Sequence, residues 1–197
     1  MEMLNILFFN KRSSSKHKNN TLNEIKKNLE EYSSKHISIK ECVAKTAYLT
    51  AELIFLYISK RKENKSVYDS IIIMSSNYYA MLHIDMYTGF YTVNKKHTCD
   101  LVSTLVEEVL KETAKKQGGL KSSDLHTAIQ KSHDFTQEMV EVYYRAGIEG
   151  CHKYIASSIY SALLSEYKNL SVKRDSIEYV VRTIQAEKIL TRNYEYA

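Results

Sequence analysis

Apolar residues recur at helical spacing along most of the chain. Thr21-Leu22-Asn23-Glu24 has the form of a capping box, and Leu22, Ile25, Leu29 and Tyr32 follow on one helix face. A second box, Ser38-Ile39-Lys40-Glu41, opens a longer helix expected to reach about Lys62. Its residues Cys42, Val43, Ala47, Leu49, Leu53, Ile54, Phe55, Leu56 and Ile58 are apolar around most of the girth, which predicts a central position.

The pattern changes near Ser66. Ser70-Ile71-Ile72-Ile73-Met74 is a short β-branched run, and residues 78–93 are rich in Tyr, Met, Ile and Phe around Thr88-Gly89. Period 2 over this stretch predicts a strand followed by a hairpin, with arms at about 79–86 and 90–94. The competing pattern is a helix continuing through 78–85. Beyond Cys99 the helical period returns. Leu101, Leu105 and Val109 lead a helix that should end at Gly118-Gly119, followed by a short helix from Ser122 or Ser123 to about Ser132. Asp134 opens another helix to about Ala146. After Gly147 one carries Cys151, Ile155, Ile159, Ala162 and Leu163, and a last one covers about 173–192. The predicted fold is therefore α+β and predominantly α-helical: two N-terminal helices, a small antiparallel meander at about 70–94, then about four C-terminal helices. Residues 1–20 form a flexible basic arm and residues 21–197 a single mostly helical domain.

Composition refines this picture in two ways. The chain of 197 residues has no proline and only five glycines, so it interrupts itself rarely. Its net charge of +5 is carried by the N-terminal third: residues 1–65 hold 13 Lys/Arg against 7 Asp/Glu. The densest clusters are Lys11-Arg12 with Lys16 and Lys18, and Lys60-Arg61-Lys62. They form a basic patch that could meet the phosphates of a nucleic acid. Cys42, Cys99 and Cys151 lie far apart, without a C-x-x-C pair, and are expected to be reduced. No apolar run reaches the roughly 20 residues of a membrane span, and the start lacks the polarity of a cleaved signal. A cytoplasmic location is expected, with export by a route without a cleaved signal left open. Abundant Lys, Asn, Ile, Ser and Tyr are typical of AT-rich coding sequences, as in mobile elements, viruses and some pathogens.

Candidate chemistry is sparse. Arg145 and His152, six residues apart in between, form a pair that resembles the signature of HEPN-type ribonucleases, which are small helical, metal-independent endoribonucleases. The resemblance implies that Arg145 holds the scissile phosphate and His152 moves the proton that frees the ribose 2′-hydroxyl. It also implies a homodimer that pairs two motifs. Ala146 stands where the family usually has a polar residue, and Gly147 and Gly150 interrupt the helix the motif should occupy. His83 with Asp85, and His126 with His133 and Asp134, lack the further ligands or nucleophile that a metal or catalytic site needs, so no metal and no cofactor is expected. Tyr78, Tyr79, Tyr87 and Tyr91 could instead supply a protein-binding face. Two functions remain: a non-enzymatic protein-interaction, regulatory or accessory protein, and a HEPN-like endoribonuclease using Arg145 and His152.

Overall fold

A computed structural model describes residues 20, 23–24, 27, 31, 38–58, 65–88, 94–117, 122–167 and 173–182. Among these residues there is no strand. The helices are α1 (Ile39–Tyr57), α2 (Lys65–Thr88), α3 (Lys95–Gln117), α4 (Ser122–Glu166) and α5 (174–182), and residues 20, 23–24, 27 and 31 are also helical. The protein is all-α. The meander expected at 70–94 is replaced by α2, which contains both the Ser70–Met74 run and the 79–86 arm. Residues 89–93, the rest of the expected hairpin, lie outside the described residues, as does the 118–119 break.

The reason for the difference lies in where α2 sits. It packs against α1, α3 and α4 at once, so nearly every residue from Val67 to Ile84 is buried. A helix buried on all sides shows no 3.6 period, and a continuous apolar run is indistinguishable from an interior strand by pattern alone. The triplet Ile71-Ile72-Ile73 tips such a comparison toward β. Centrality therefore belongs to α2 rather than to α1, whose second apolar face borders a groove described below.

Other boundaries follow local chemistry. Ser38 caps α1, its Oγ accepting the Glu41 amide at 3.2 Å. Asn94 caps α3, its Oδ1 accepting the His97 amide at 2.9 Å. The break expected between Ser132 and Asp134 does not occur. The helix runs through Asp134 without a start there, and the flanking Ser132 and Thr136 are buried and spend their hydroxyls across the α2–α4 seam. Asn77 donates to the Ser132 hydroxyl and to the Ile73 carbonyl, each at 2.9 Å, while Thr136 donates to the Asn77 Oδ1.

The break at Gly147 does occur. Its backbone takes φ 63° and ψ −165°, a conformation nearly confined to glycine. A straight helix of 45 residues would extend about 68 Å, roughly twice the length of its neighbours. The kink turns its second half back to bury Cys151, Ile155, Ile159 and Leu163. Helix α5 closes the core with Ile177, Val180 and Val181, spaced to share one face. Among the described residues no helix is long and apolar enough to cross a membrane.

Candidate functional site

One concavity among the described residues is a groove of about 460 Å³. Its surface is mostly apolar, supplied by Ala44, Tyr48 and Leu49 of α1 and Ile72 of α2. Glu41, Ala44, Lys45 and Tyr48 recur at intervals of three and four, so one stripe of α1 forms the wall. The opposite stripe, with Cys42, Val43, Ala47 and Ala51, is fully buried. This explains why α1 is apolar nearly all round without being central. Tyr48 is held in place by its edge contact with the Tyr68 ring, 5.9 Å between centroids. Tyr68 in turn donates to Glu52 at 2.8 Å.

The rim is charged. Glu24, Lys27 and Glu31 stand on the N-terminal helical stretch, Glu41 and Lys45 on α1, and Glu112 on α3. Lys45 lies 3.2 Å from Glu41 and 3.6 Å from Glu31, and Lys27 lies 3.7 Å from Glu31. Among the described residues four carboxylates thus surround two ammonium groups, both already engaged with rim carboxylates. Such exposed pairs are worth at most about 1 kcal/mol each, so the rim shapes the potential more than the stability.

A second groove, of about 800 Å³ and richer in charged residues, lies between α3 and α4 and includes Lys95, Lys96, Cys99, Glu138, Glu141, Arg145 and Tyr154. Lys95 is bound to Glu141 at 2.7 Å, and the Tyr154 hydroxyl donates to Glu138. Cys99 is half-buried, and burial with the nearby Asp100 carboxylate raises its thiol pKa, which lowers its nucleophilicity at neutral pH.

The structure separates the two residues of the HEPN-like motif. Arg145 is exposed on this second groove. His152 is 1% exposed and follows the Gly147 kink, with its ring 5.8 Å from that of Tyr78. His152 is not among the residues that line this groove. Above His152 sits an ion-pair cluster. Arg182 of α5 grips Glu149 with two bonds, 3.1 and 2.7 Å, and also holds Glu178 at 2.8 Å. The Arg182 bond depresses the pKa of Glu149. A depressed carboxylate contributes stability above its unfolded pKa and loses it as pH falls through the folded one. Because Glu149 is 62% exposed, that contribution is small. The cluster pins α5 across the kink.

The expected tyrosine face is not at the surface where it is described. Tyr78 and Tyr79 are 0% and 2% exposed; the side chain of Tyr87 and all of Tyr91 lie outside the described residues. So do the basic residues Lys11, Arg12, Lys16, Lys18, Lys60, Arg61 and Lys62. The adjacent pair is chemically unequal. Thr50 donates to the Thr46 carbonyl at 2.7 Å, so the Tyr79 hydroxyl, 2.9 Å away, is the donor to Thr50. The Tyr78 hydroxyl is buried without a hydrogen-bond partner among the described residues. Tyr79→Phe should therefore cost about 1 kcal/mol, and Tyr78→Phe about zero or slightly the reverse. Urea melts of the two variants check this, and equal losses would contradict the assignment.

Among the described residues no three His, Cys, Asp or Glu side chains converge to hold a metal ion. Comparison with protein-family models finds no match, and neither curated proteins nor solved structures yield one. The apolar groove was missed at the sequence level because Ala44, Tyr48 and Leu49 read as core. The available signal was that α1 has two apolar stripes and only one of them can face α2.

Proposed function

We propose that the protein is a non-enzymatic interaction module that binds one amphipathic helix of a protein partner in the α1–α2–α3 groove. The supporting observation is the groove itself, an apolar floor inside a rim that, among the described residues, has two more carboxylates than ammonium groups. Helix-in-groove recognition takes an apolar stripe at i, i+3 or i+4, and i+7. The rim charge selects a helix flanked by lysine or arginine, which speeds association and discriminates against acidic sequences.

A fluorescein-labelled 14-residue Leu/Lys amphipathic peptide is a direct probe. Anisotropy titration should give a dissociation constant of roughly 10–100 μM, weakening with added salt. Leu49→Glu places a charge on the apolar wall and should weaken binding about tenfold or more. Tyr179→Ser, on the exposed face of α5, should leave it unchanged. Circular dichroism confirms that both variants remain folded. Equal binding by native protein and Leu49→Glu would overturn the assignment of the groove.

A further inference from the structure

We propose that Lys45 sets the charge selectivity of the groove: its ammonium stands in the seat between Glu31 and Glu41 that a basic partner's own cation takes on binding. This rests on the assignment of the groove as a helix-binding site. Lys45 belongs to the wall stripe of α1, one turn after Glu41 and one turn before Leu49. Its Nζ lies 3.2 Å from a Glu41 carboxylate oxygen and 3.6 Å from a Glu31 oxygen, so it bridges α1 to the N-terminal helical stretch on the rim. The other Glu31 oxygen lies 3.7 Å from Lys27.

These pairs are open to exchange. Separations of 3.6 and 3.7 Å exceed the roughly 2.7–3.2 Å of an N–H···O hydrogen bond. The side chains of Glu31 and Glu41 are each 34% exposed and that of Lys45 is 44% exposed, so an incoming side chain reaches all three. The flexible stem of a lysine lets Lys45 turn its ammonium outward without moving α1. Exchange puts one ammonium in place of another on the same carboxylates, so the partner's gain is offset by the pair it displaces. Lys45 is therefore a brake on basic partners. A neutral helix has no cation to seat and is indifferent to it. Glu24 and Glu112, the other two rim carboxylates, supply the attraction that remains.

The test titrates the full chain with the labelled Leu/Lys peptide and with a Leu/Gln peptide of the same length. Lys45→Gln should bind the Leu/Lys peptide about threefold tighter than the native protein, the scale of one exposed ion pair. Lys45→Arg keeps the competing charge and should bind like the native protein. Adding Glu41→Gln to Lys45→Gln should cancel most of the gain. The gain should also vanish in about 1 M NaCl, where the screening length is about 3 Å. The Leu/Gln peptide should bind all of these proteins alike, and circular dichroism checks that each is folded. Equal tightening of both peptides by Lys45→Gln would mean a reshaped groove and overturn the proposal. Unchanged Leu/Lys binding in Lys45→Gln, with Leu49→Glu still weakening it, would overturn the role of Lys45 and leave the groove as a partner site. Binding of the Leu/Lys peptide to none of the proteins would overturn the groove assignment as well.

Discussion

Asn77→Ala is expected to lower the melting temperature by about 10 °C. Asn77 is fully buried and joins α2 to α4 by two side-chain hydrogen bonds, to Ser132 and from Thr136, besides its bond to the Ile73 carbonyl. Thr136 retains the Ser132 carbonyl, 2.9 Å away, but the Ser132 hydroxyl loses the amide that donates to it. A cavity and an orphaned buried hydroxyl together cost about 2–4 kcal/mol, and each kcal/mol shifts the midpoint of a chain this size by about 2–4 °C. Asn77→Asp sharpens the test through its pH dependence. A buried aspartate has a folded pKa raised above its unfolded value of about 3.9, so its neutral form is favoured in the native state. Stability should be nearest native in mild acid and fall as pH rises from about 4 through the folded pKa. Calorimetry across pH 4–8 measures this. A loss independent of pH, or a midpoint unchanged in Asn77→Ala, would show that the seam does not depend on the network.

Gly150→Ala is expected to cost about 2–3 kcal/mol, although Gly150 has ordinary helical geometry. A Cβ there would lie 2.5 Å from the Ala146 Cβ and 3.2 Å from the Val142 Cγ1. The valine can rotate, but the alanine carbon is fixed to the backbone, so the two halves of α4 would have to part. Adding Ala146→Gly should recover more than half of the loss, even though glycine in a helix itself costs about 1 kcal/mol. Gly147→Ala provides the contrast. Nothing lies within 4 Å of its Cβ, so its cost, about 1–3 kcal/mol, is purely conformational. Ala146→Gly should not rescue it. Chemical denaturation of the five variants (Gly150→Ala, Gly147→Ala, Ala146→Gly and each of the first two combined with Ala146→Gly) measures the coupling, and additive losses at 146 and 150 would mean that the halves can separate freely.

The same kink shows what a sequence can and cannot reveal. A break at Gly147 was legible because glycine is the residue that tolerates such a backbone. The one-sided stripes of α3 and α5 and the Ser38 cap were legible for similar local reasons. The direction in which the chain leaves Gly147 was not, and that direction puts Arg145 on a groove and His152 inside the core. Six intervening residues could equally have brought them together. The all-round burial of α2 was also invisible, since it depends on three neighbours that sequence does not place. Asp134 imitated a helix start because a side chain that can cap a helix can equally lie along one, and the neighbouring buried Ser132 and Thr136 bridge α2 and α4 inside a continuous helix. The groove was hidden for the opposite reason: Ala44, Tyr48 and Leu49 are what a core would contain, and only the packing of α1 shows which of its stripes was left over.

The seam between α2 and α4 also has a kinetic meaning. α1 with α2, α2 with α3, and α3 with α4 are neighbours in sequence as well as in space, and short loops close early. Joining Asn77 to Ser132 and Thr136 closes a loop that contains all of α3, so it should form after the rate-limiting step. A substitution there would then leave refolding nearly as fast as in the native chain and appear almost entirely as faster unfolding. The lifetime of the folded protein, more than its speed of assembly, would rest on a single buried amide.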